Sequence, residues 1–172
     1  MKDLLSRLSG RKDEEIPTHS GFCIAQGFIL DNNRRSKERV AFAYGNNDFN
    51  LYISTNNTLG KDESLLERSH EISPVLLLNK TITLRKGKRM LPSMDAEEWL
   101  LRGKQRQSAD RSPVDMYDFV LNANEKFGDY EHPMVSATLT NEYIFSTQYS
   151  EAQLMDIWDR ITSTLRPRPE AF

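Results

Sequence analysis

The residues best able to do covalent chemistry in this chain are its single cysteine, Cys23, and three histidines, His19, His70 and His132. A thiolate beside an imidazole is a nucleophile pair, so one interpretation is a small cytoplasmic hydrolase that uses Cys23 with a histidine. Cys23 lies between a phenylalanine and an isoleucine, where a free cysteine usually acts as a small buried hydrophobe. Since no protease signature surrounds Cys23, we favour buried packing.

No other pattern in the sequence is typical of a catalytic, metal or cofactor site. The histidines lack the spacing of zinc motifs. The sequence has no Gly-x-Ser-x-Gly elbow. Gly21 and Gly27 have the wrong spacing for a phosphate loop, and no helix follows them. We therefore expect no catalytic residue, no bound metal and no cofactor, and a protein that is not an enzyme.

The basic cluster Arg85-Lys86-Gly87-Lys88-Arg89 is the sharpest charge feature. Residues 80–106 carry eight Lys or Arg against three acidic residues, a net of +5, whereas residues 107–142 carry two against seven, a net of −5. One interpretation is a solvated turn whose charges match the acidic strand from Asp115 to Glu125. A second is a protein-binding patch. A third, a nucleic-acid-binding module, is less favoured because no aromatic residues are interleaved for stacking.

Composition limits the possible classes of protein further. The chain has 172 residues, 38% of them hydrophobic, and a formal net charge of −2. This length suits one folded core, and the charge gives no general argument for nucleic acid. The longest run of large apolar residues, Val75 to Leu78, is four residues. A membrane span needs roughly 20, so we expect no membrane insertion. Behind Lys2 there is no signal-peptide core.

The elements that position these residues are organised by the stretch from Tyr149 to Pro169. Ser150 and Gln153 have the spacing of a capping box, and Tyr149 with Leu154 that of a hydrophobic staple. Prolines at 167 and 169 end the predicted helix. Its apolar positions recur at helical spacing, whereas Asp159 lies off that stripe, so we expect its substitution to cost little stability. The stripe comprises Leu154, Ile157, Trp158, Ile161 and Leu165.

The remaining segments are mostly short alternating strands. Residues 40–44 and 49–53 predict a β-hairpin with a four-residue loop. Residues 21–30 predict one strand with a central break, and Asp62 predicts the start of a helix through about Ile72, ended by Pro74. Further strands are predicted near 82–84, 97–104, 117–121 and 135–139. We predict an α+β fold, with a largely antiparallel sheet covered on one face by two helices, including a long C-terminal helix.

The N-terminal residues divide from the rest. Residues 2–9 predict two helical turns closed by Gly10, and residues 11–20 read as a charged linker. We therefore predict a short helix and linker over 1–20 and a single α+β domain over 21–172.

Several segments together resemble one known family. They are Glu15-Ile16-Pro17 with Gly21-Phe22-Cys23-Ile24, Ser54-Thr55-Asn56 with Ser64-Leu65-Leu66-Glu67-Arg68, Leu84-Arg85-Lys86-Gly87-Lys88-Arg89 with Glu97-Glu98-Trp99-Leu100, and Ile157-Trp158-Asp159 with Leu165-Arg166-Pro167-Arg168-Pro169. Because these segments occur together and in this order, the chain resembles the C-terminal domain of the Tle cognate immunity proteins, which neutralise phospholipase effectors of bacterial type VI secretion. The resemblance runs from about Ile16 to Pro169.

This resemblance implies a non-catalytic immunity protein that binds its cognate type VI lipase effector and obstructs the active site. It also implies an N-terminal immunity domain preceding this one, and a periplasmic location. A stand-alone protein would instead be cytoplasmic.

The resemblance assigns no contact residues. We place them on three charged loops, because specificity is easiest to vary on loops held by a rigid sheet. The predicted partner-binding residues are Arg34, Arg35, Arg85, Lys86, Lys88, Arg89, Arg106, Asp110 and Arg111.

Overall fold

The C-terminal helix begins where the sequence places its cap. In a computed structural model, which describes residues 2–12, 14–24, 26–32, 37–106, 112–144 and 147–167, helix α3 spans Glu151–Ser163. The Ser150 hydroxyl accepts from the Gln153 amide, and the Gln153 side chain accepts from the Ser150 amide at 2.9 Å. The predicted capping box is confirmed, and the Tyr149 ring packs 6.1 Å from that of Phe49.

The main sheet has six antiparallel strands in the order β4-β5-β9-β8-β7-β6. Their bounds are β4 Arg39–Gly45, β5 Asn50–Asn56, β6 Ile82–Leu91, β7 Met94–Gln105, β8 Val114–Ala123 and β9 Met134–Thr140. β4 and β5 form the predicted hairpin, in which the Asn46 amide donates to the Phe49 carbonyl. The predicted α+β class, with an antiparallel sheet and a C-terminal helix, is confirmed.

The core lies between this sheet and α3. The predicted helical stripe is confirmed, since Leu154 and Trp158 are fully buried and the other three members are partly buried against the same core. The Trp158 ring meets Phe119 edge to face with centroids 6.0 Å apart. The buried strand residues of this core come from β5, β7, β8 and β9, and Leu84 and Leu91 of β6 pack against them while partly buried. The buried strand residues include Leu51, Ala96, Leu100, Phe119, Leu121, Ala137 and Leu139.

Helix α2 spans Ser69–Leu78. The segment before it covers the sheet face opposite α3, so α2 and α3 do not share one face. The Leu65 amide donates to Glu125 at 2.6 Å, and the Leu66 amide donates to Glu97 at 2.8 Å. These buried carboxylates hold residues 65–68 as turns, and the helix begins only at Ser69.

The predicted helix from Asp62 to Ile72 is therefore wrong in position. Pro74, predicted to end it, lies inside α2. A proline there removes one intrahelical hydrogen bond without forcing the helix to end. The segment Val75–Leu78, which the sequence leaves ambiguous, is helical.

The N-terminal residues form a second, three-stranded sheet, in the order β1-β3-β2. Helix α1 (Lys2–Arg7) leads directly into β1 (Leu8–Gly10), followed by β2 (Gly21–Ile24) and β3 (Gly27–Leu30). Gly10 pairs with Gly27, so it does not close a helix as predicted. Residues 21–30 form a hairpin and not one broken strand, because the chain reverses at Gln26, whose φ is +56°.

Candidate functional site

The basic cluster lies on the edge strand β6, and its side chains divide between the two faces of the sheet. Arg85 pairs with Leu100, and Arg89 pairs with Ala96, both of which face α3. Lys86 pairs with Trp99, and the strand alternation puts it on the opposite face. The single continuous patch that the sequence indicates is therefore two separate sites.

Arg85 and Arg89 join an ion-pair network with Glu98 and Asp159, which we call the β6–α3 network. The Arg85 guanidinium donates to both Asp159 oxygens, with Nη1 at 3.0 Å and Nη2 at 2.5 Å, and Arg89 Nη2 donates to Asp159 Oδ1 at 2.6 Å. Glu98 is 3% exposed and accepts from Trp158 Nε1 at 3.1 Å. The network connects the edge strand β6 to helix α3.

Arg85 contacts Glu98 by an ion pair and by one long hydrogen bond, which Nη2 donates to Oε2 at 3.4 Å. Arg85 Nε lies 2.7 Å from Glu98 Oε1, but its N–H is not directed at that oxygen. The hydrogen bonds from Arg85 lower the pKa of Asp159, and the same hydrogen bonds raise the pKa of Arg85. Both groups are therefore held in their charged forms.

Two expectations are corrected by this network. The cluster does not pair with the acidic strand from Asp115 to Glu125; its acidic partners are Glu98 on β7 and Asp159 on α3. Asp159 lies off the apolar stripe but binds two arginines, so its replacement removes more than a solvated charge. Arg85 and Arg89 have the two-residue periodicity of one strand face, a signal that could have separated them from the lysines.

The lysines remain accessible on the other face. Lys86 is exposed, with Nζ 4.2 Å from the centroid of the buried Trp99 ring, and Lys88 is exposed beside it. Arg106, at the end of β7, is also exposed. The remaining predicted contact residues lie outside the described residues; they are Arg34, Arg35, Asp110 and Arg111.

Cys23 lines an open, mostly apolar cavity of about 270 Å³ between β2 and the α3 face of the main sheet. The expectation that Cys23 is buried is wrong: its side chain is only partly buried and lines this open cavity. His132 also lines this cavity, and its Nδ1 lies 3.0 Å from Asp129 Oδ1. No hydrogen bond joins Cys23 to His132 in the part of the chain that the structure describes.

Thiol labelling tests whether that imidazole activates the thiol. We expect iodoacetamide to alkylate Cys23 in the native protein, more slowly than in urea because the side chain is partly buried. We expect His132→Ala to leave the native rate unchanged, since no thiol–imidazole hydrogen bond is present. Mass spectrometry of timed samples gives the rates, with Cys23→Ser as the control. A markedly slower reaction of His132→Ala would instead favour the hydrolase interpretation.

Two further observations concern metals and membranes. Among the described residues, no group of three or more His, Cys, Asp or Glu side chains has an arrangement that could hold a metal ion. Across those same ranges, every helix is too short or too polar to cross a bilayer.

Comparison with known proteins identifies the family. Residues 15–170 match the family described as Tle cognate immunity protein 4 C-terminal domain. The chain belongs to this family. The predicted family membership is thus confirmed. A search of curated proteins finds no match.

Solved structures share the fold of this Tle cognate immunity domain. The immunity protein TplEi of the type VI secretion system of Pseudomonas aeruginosa, in complex with "L" peptide, superposes with a TM-score of 0.76 at 24% identity. This match covers 98% of the chain and 61% of TplEi. The apo form of TplEi gives 0.75 at 25% identity, covering 98% and 56%.

The Tle4–Tli4 complex contains another such structure, with a TM-score of 0.76 at 24% identity and coverage of 98% and 57%. The chain thus spans less than two thirds of each of these three structures.

Proposed function

We propose that this Tle cognate immunity domain binds a lipase effector of a type VI secretion system and blocks its active site, without catalysing a reaction itself. The observation that carries the proposal is the family match over residues 15–170. The presence of the same fold in the Tle4–Tli4 complex supports binding to an effector. A stoichiometric inhibitor requires a rigid surface more than a reactive group, and the six-stranded sheet supplies one.

Titration of lipase activity tests this proposal. We expect the chain to inhibit the lipase encoded beside it, with activity reaching its minimum at one equivalent. An immunity protein that acts by obstruction leaves no covalent change on the lipase, so intact-mass measurements should show both proteins unmodified. Inhibition at catalytic amounts would instead indicate an enzyme, and the absence of any binding in a pull-down would contradict the proposal.

Lys86 and Lys88 are our proposed steering residues for an acidic surface of the lipase. We expect the double variant Lys86→Glu, Lys88→Glu to associate about tenfold more slowly at low salt, because exposed charges act mainly on encounter rates. Stopped-flow or biolayer interferometry measures the rate. The double variant Lys12→Glu, Lys61→Glu changes the charge equally at other exposed lysines and serves as the control.

Stability should hardly change in the Lys86 and Lys88 double variant, since Lys86 loses only an exposed contact with Trp99. If the melting temperature falls while the association rate is unchanged, these lysines stabilise the fold and do not steer the lipase.

We also propose that the protein acts in the periplasm, on the strength of the family resemblance. Fractionation of the native cells followed by immunodetection checks the compartment, and recovery only with the cytoplasmic fraction would contradict it.

A further inference from the structure

Asp118 on β8 is a carboxylate in a pocket without a partner. Its cross-strand neighbours are Leu101 and Thr140, so it lies on the sheet face opposite α3. The pocket has a volume of about 340 Å³ and is lined by Leu76, Asn79, Thr81, Leu101, Gly103, Lys104, Met116 and Asp118. We call it the Asp118 pocket. Throughout the described ranges Asp118 makes no hydrogen bond or ion pair.

Among the described residues, the one cationic side chain that lines the pocket already has an acidic partner. Lys104 Nζ lies 2.7 Å from Asp115 Oδ1, outside the pocket lining. Burial raises the pKa of Asp118, and the negative charge of Glu142 raises it further. An unpaired carboxylate that loses hydration opposes folding. The charged form of Asp118 therefore lowers the stability of the fold, and no contact within the described residues offsets this loss.

An exposed apolar surface adjoins this pocket. Leu76 of α2 lines it, while the helix neighbours Val75, Leu77 and Leu78 are 54%, 78% and 82% exposed. We call these three residues the α2 apolar patch. Several exposed large apolar side chains on one short helix are typical of protein interaction sites. An unpaired carboxylate close to them favours the same interpretation.

We propose that the Asp118 pocket receives an arginine or lysine side chain of the effector, with apolar effector residues packed on the α2 apolar patch. Charge complementarity favours this occupant, because a cation can fill the pocket and form an ion pair with the carboxylate. Lys86 and Trp99 lie on the same sheet face, so the site continues the surface that we propose for steering. The inference rests on the proposed function, since the effector supplies the cation.

The variant Asp118→Asn tests the cation site, because asparagine keeps the shape and removes the charge. We expect it to weaken binding of the lipase at least tenfold, through faster dissociation, as expected when a buried charge loses its partner. Its melting temperature should equal or exceed that of the wild type, because the unpaired carboxylate opposes folding. Asp156→Asn is the control. It removes the same charge from α3, on the other face, where Asp156 pairs with the exposed Arg160.

The variant Leu77→Ser tests the apolar half of the site. We expect a several-fold loss of lipase affinity with little change in stability, since Leu77 is largely exposed. Leu5→Ser on α1, where the leucine is 63% exposed, is the control and should bind the lipase as the wild type does.

The possible outcomes separate this inference from the proposed function. If the wild-type chain binds the lipase and both Asp118→Asn and Leu77→Ser bind it equally well, this site is wrong and the proposed function stands. A loss in Leu77→Ser alone overturns the cation assignment. If the variants alter self-association measured by ultracentrifugation and not lipase binding, the occupant is a second copy and the proposal fails. No lipase binding by the wild type overturns both.

Discussion

Replacing Trp158 with alanine is expected to lower the free energy of unfolding by about 3–5 kcal/mol, because the indole is fully buried between α3 and the sheet. The substitution opens a cavity beside Phe119 and also removes the hydrogen bond that Nε1 donates to the buried Glu98. Domains of this size are stable by only about 5–15 kcal/mol, so the loss is a large fraction of the total.

Urea denaturation followed by circular dichroism measures this effect. Asp156→Ala, on the same helix but exposed, is the control and should change stability by less than about 0.5 kcal/mol. Trp158→Phe should lie between the two, since it keeps most of the buried ring but leaves Glu98 without this donor. An unchanged urea midpoint for Trp158→Ala would show that α3 does not organise the core.

Short sequence patterns correctly predict the elements that are stabilised by contacts between residues close together in the chain. The capping box of Ser150 and Gln153 and the hairpin of residues 39–56 depend on neighbours a few positions apart, and both form as expected. The α3 stripe was readable because one helix face meets one core.

Tertiary contacts explain the elements that sequence patterns predict incorrectly. The start of α2 is set by Glu97 and Glu125, which bind the amides of Leu65 and Leu66 from distant strands. The turn at Gln26 carries no Asn-Gly or similar hairpin signal, so the sequence pattern predicts a single strand over residues 21–30. In both cases the decisive partner is invisible in a local pattern.

The charged residues of the candidate site also could not be paired correctly from the sequence. Charge counting found the basic cluster but assigned it the wrong acidic partners, because Arg85 and Asp159 are 74 residues apart in the chain. Asp118 attracts no notice in the sequence, since a lone aspartate in an alternating strand reads as a solvated position. Only the packed structure shows that Lys104, the cation lining its pocket, pairs with Asp115 and leaves Asp118 without a partner among the described residues.

Arg85→Met is expected to lower the free energy of unfolding by about 2–3 kcal/mol, because it leaves Glu98 buried beside Trp158 with only the more distant Arg89. This is below the usual cost of breaking a buried pair, since Arg85 is itself 30% exposed. Lys88→Met is the matched control on the same strand, and it should change the stability little.

A double variant tests whether the cost comes from the stranded carboxylate. Adding Glu98→Gln to Arg85→Met should lower the free energy of unfolding by less than the sum of the two single changes, because glutamine still accepts from Trp158 without carrying an unpaired charge.

The pH dependence of stability gives a second check. The pKa of Asp159 is lowered below its ordinary value of 3.8, so its stabilising contribution is present above that pH and is lost as the pH falls below it. The difference between wild type and Arg85→Met should therefore shrink in acid. If Arg85→Met instead retains full stability and slows association with the lipase, Arg85 belongs to the binding surface and the β6–α3 network does not stabilise the fold.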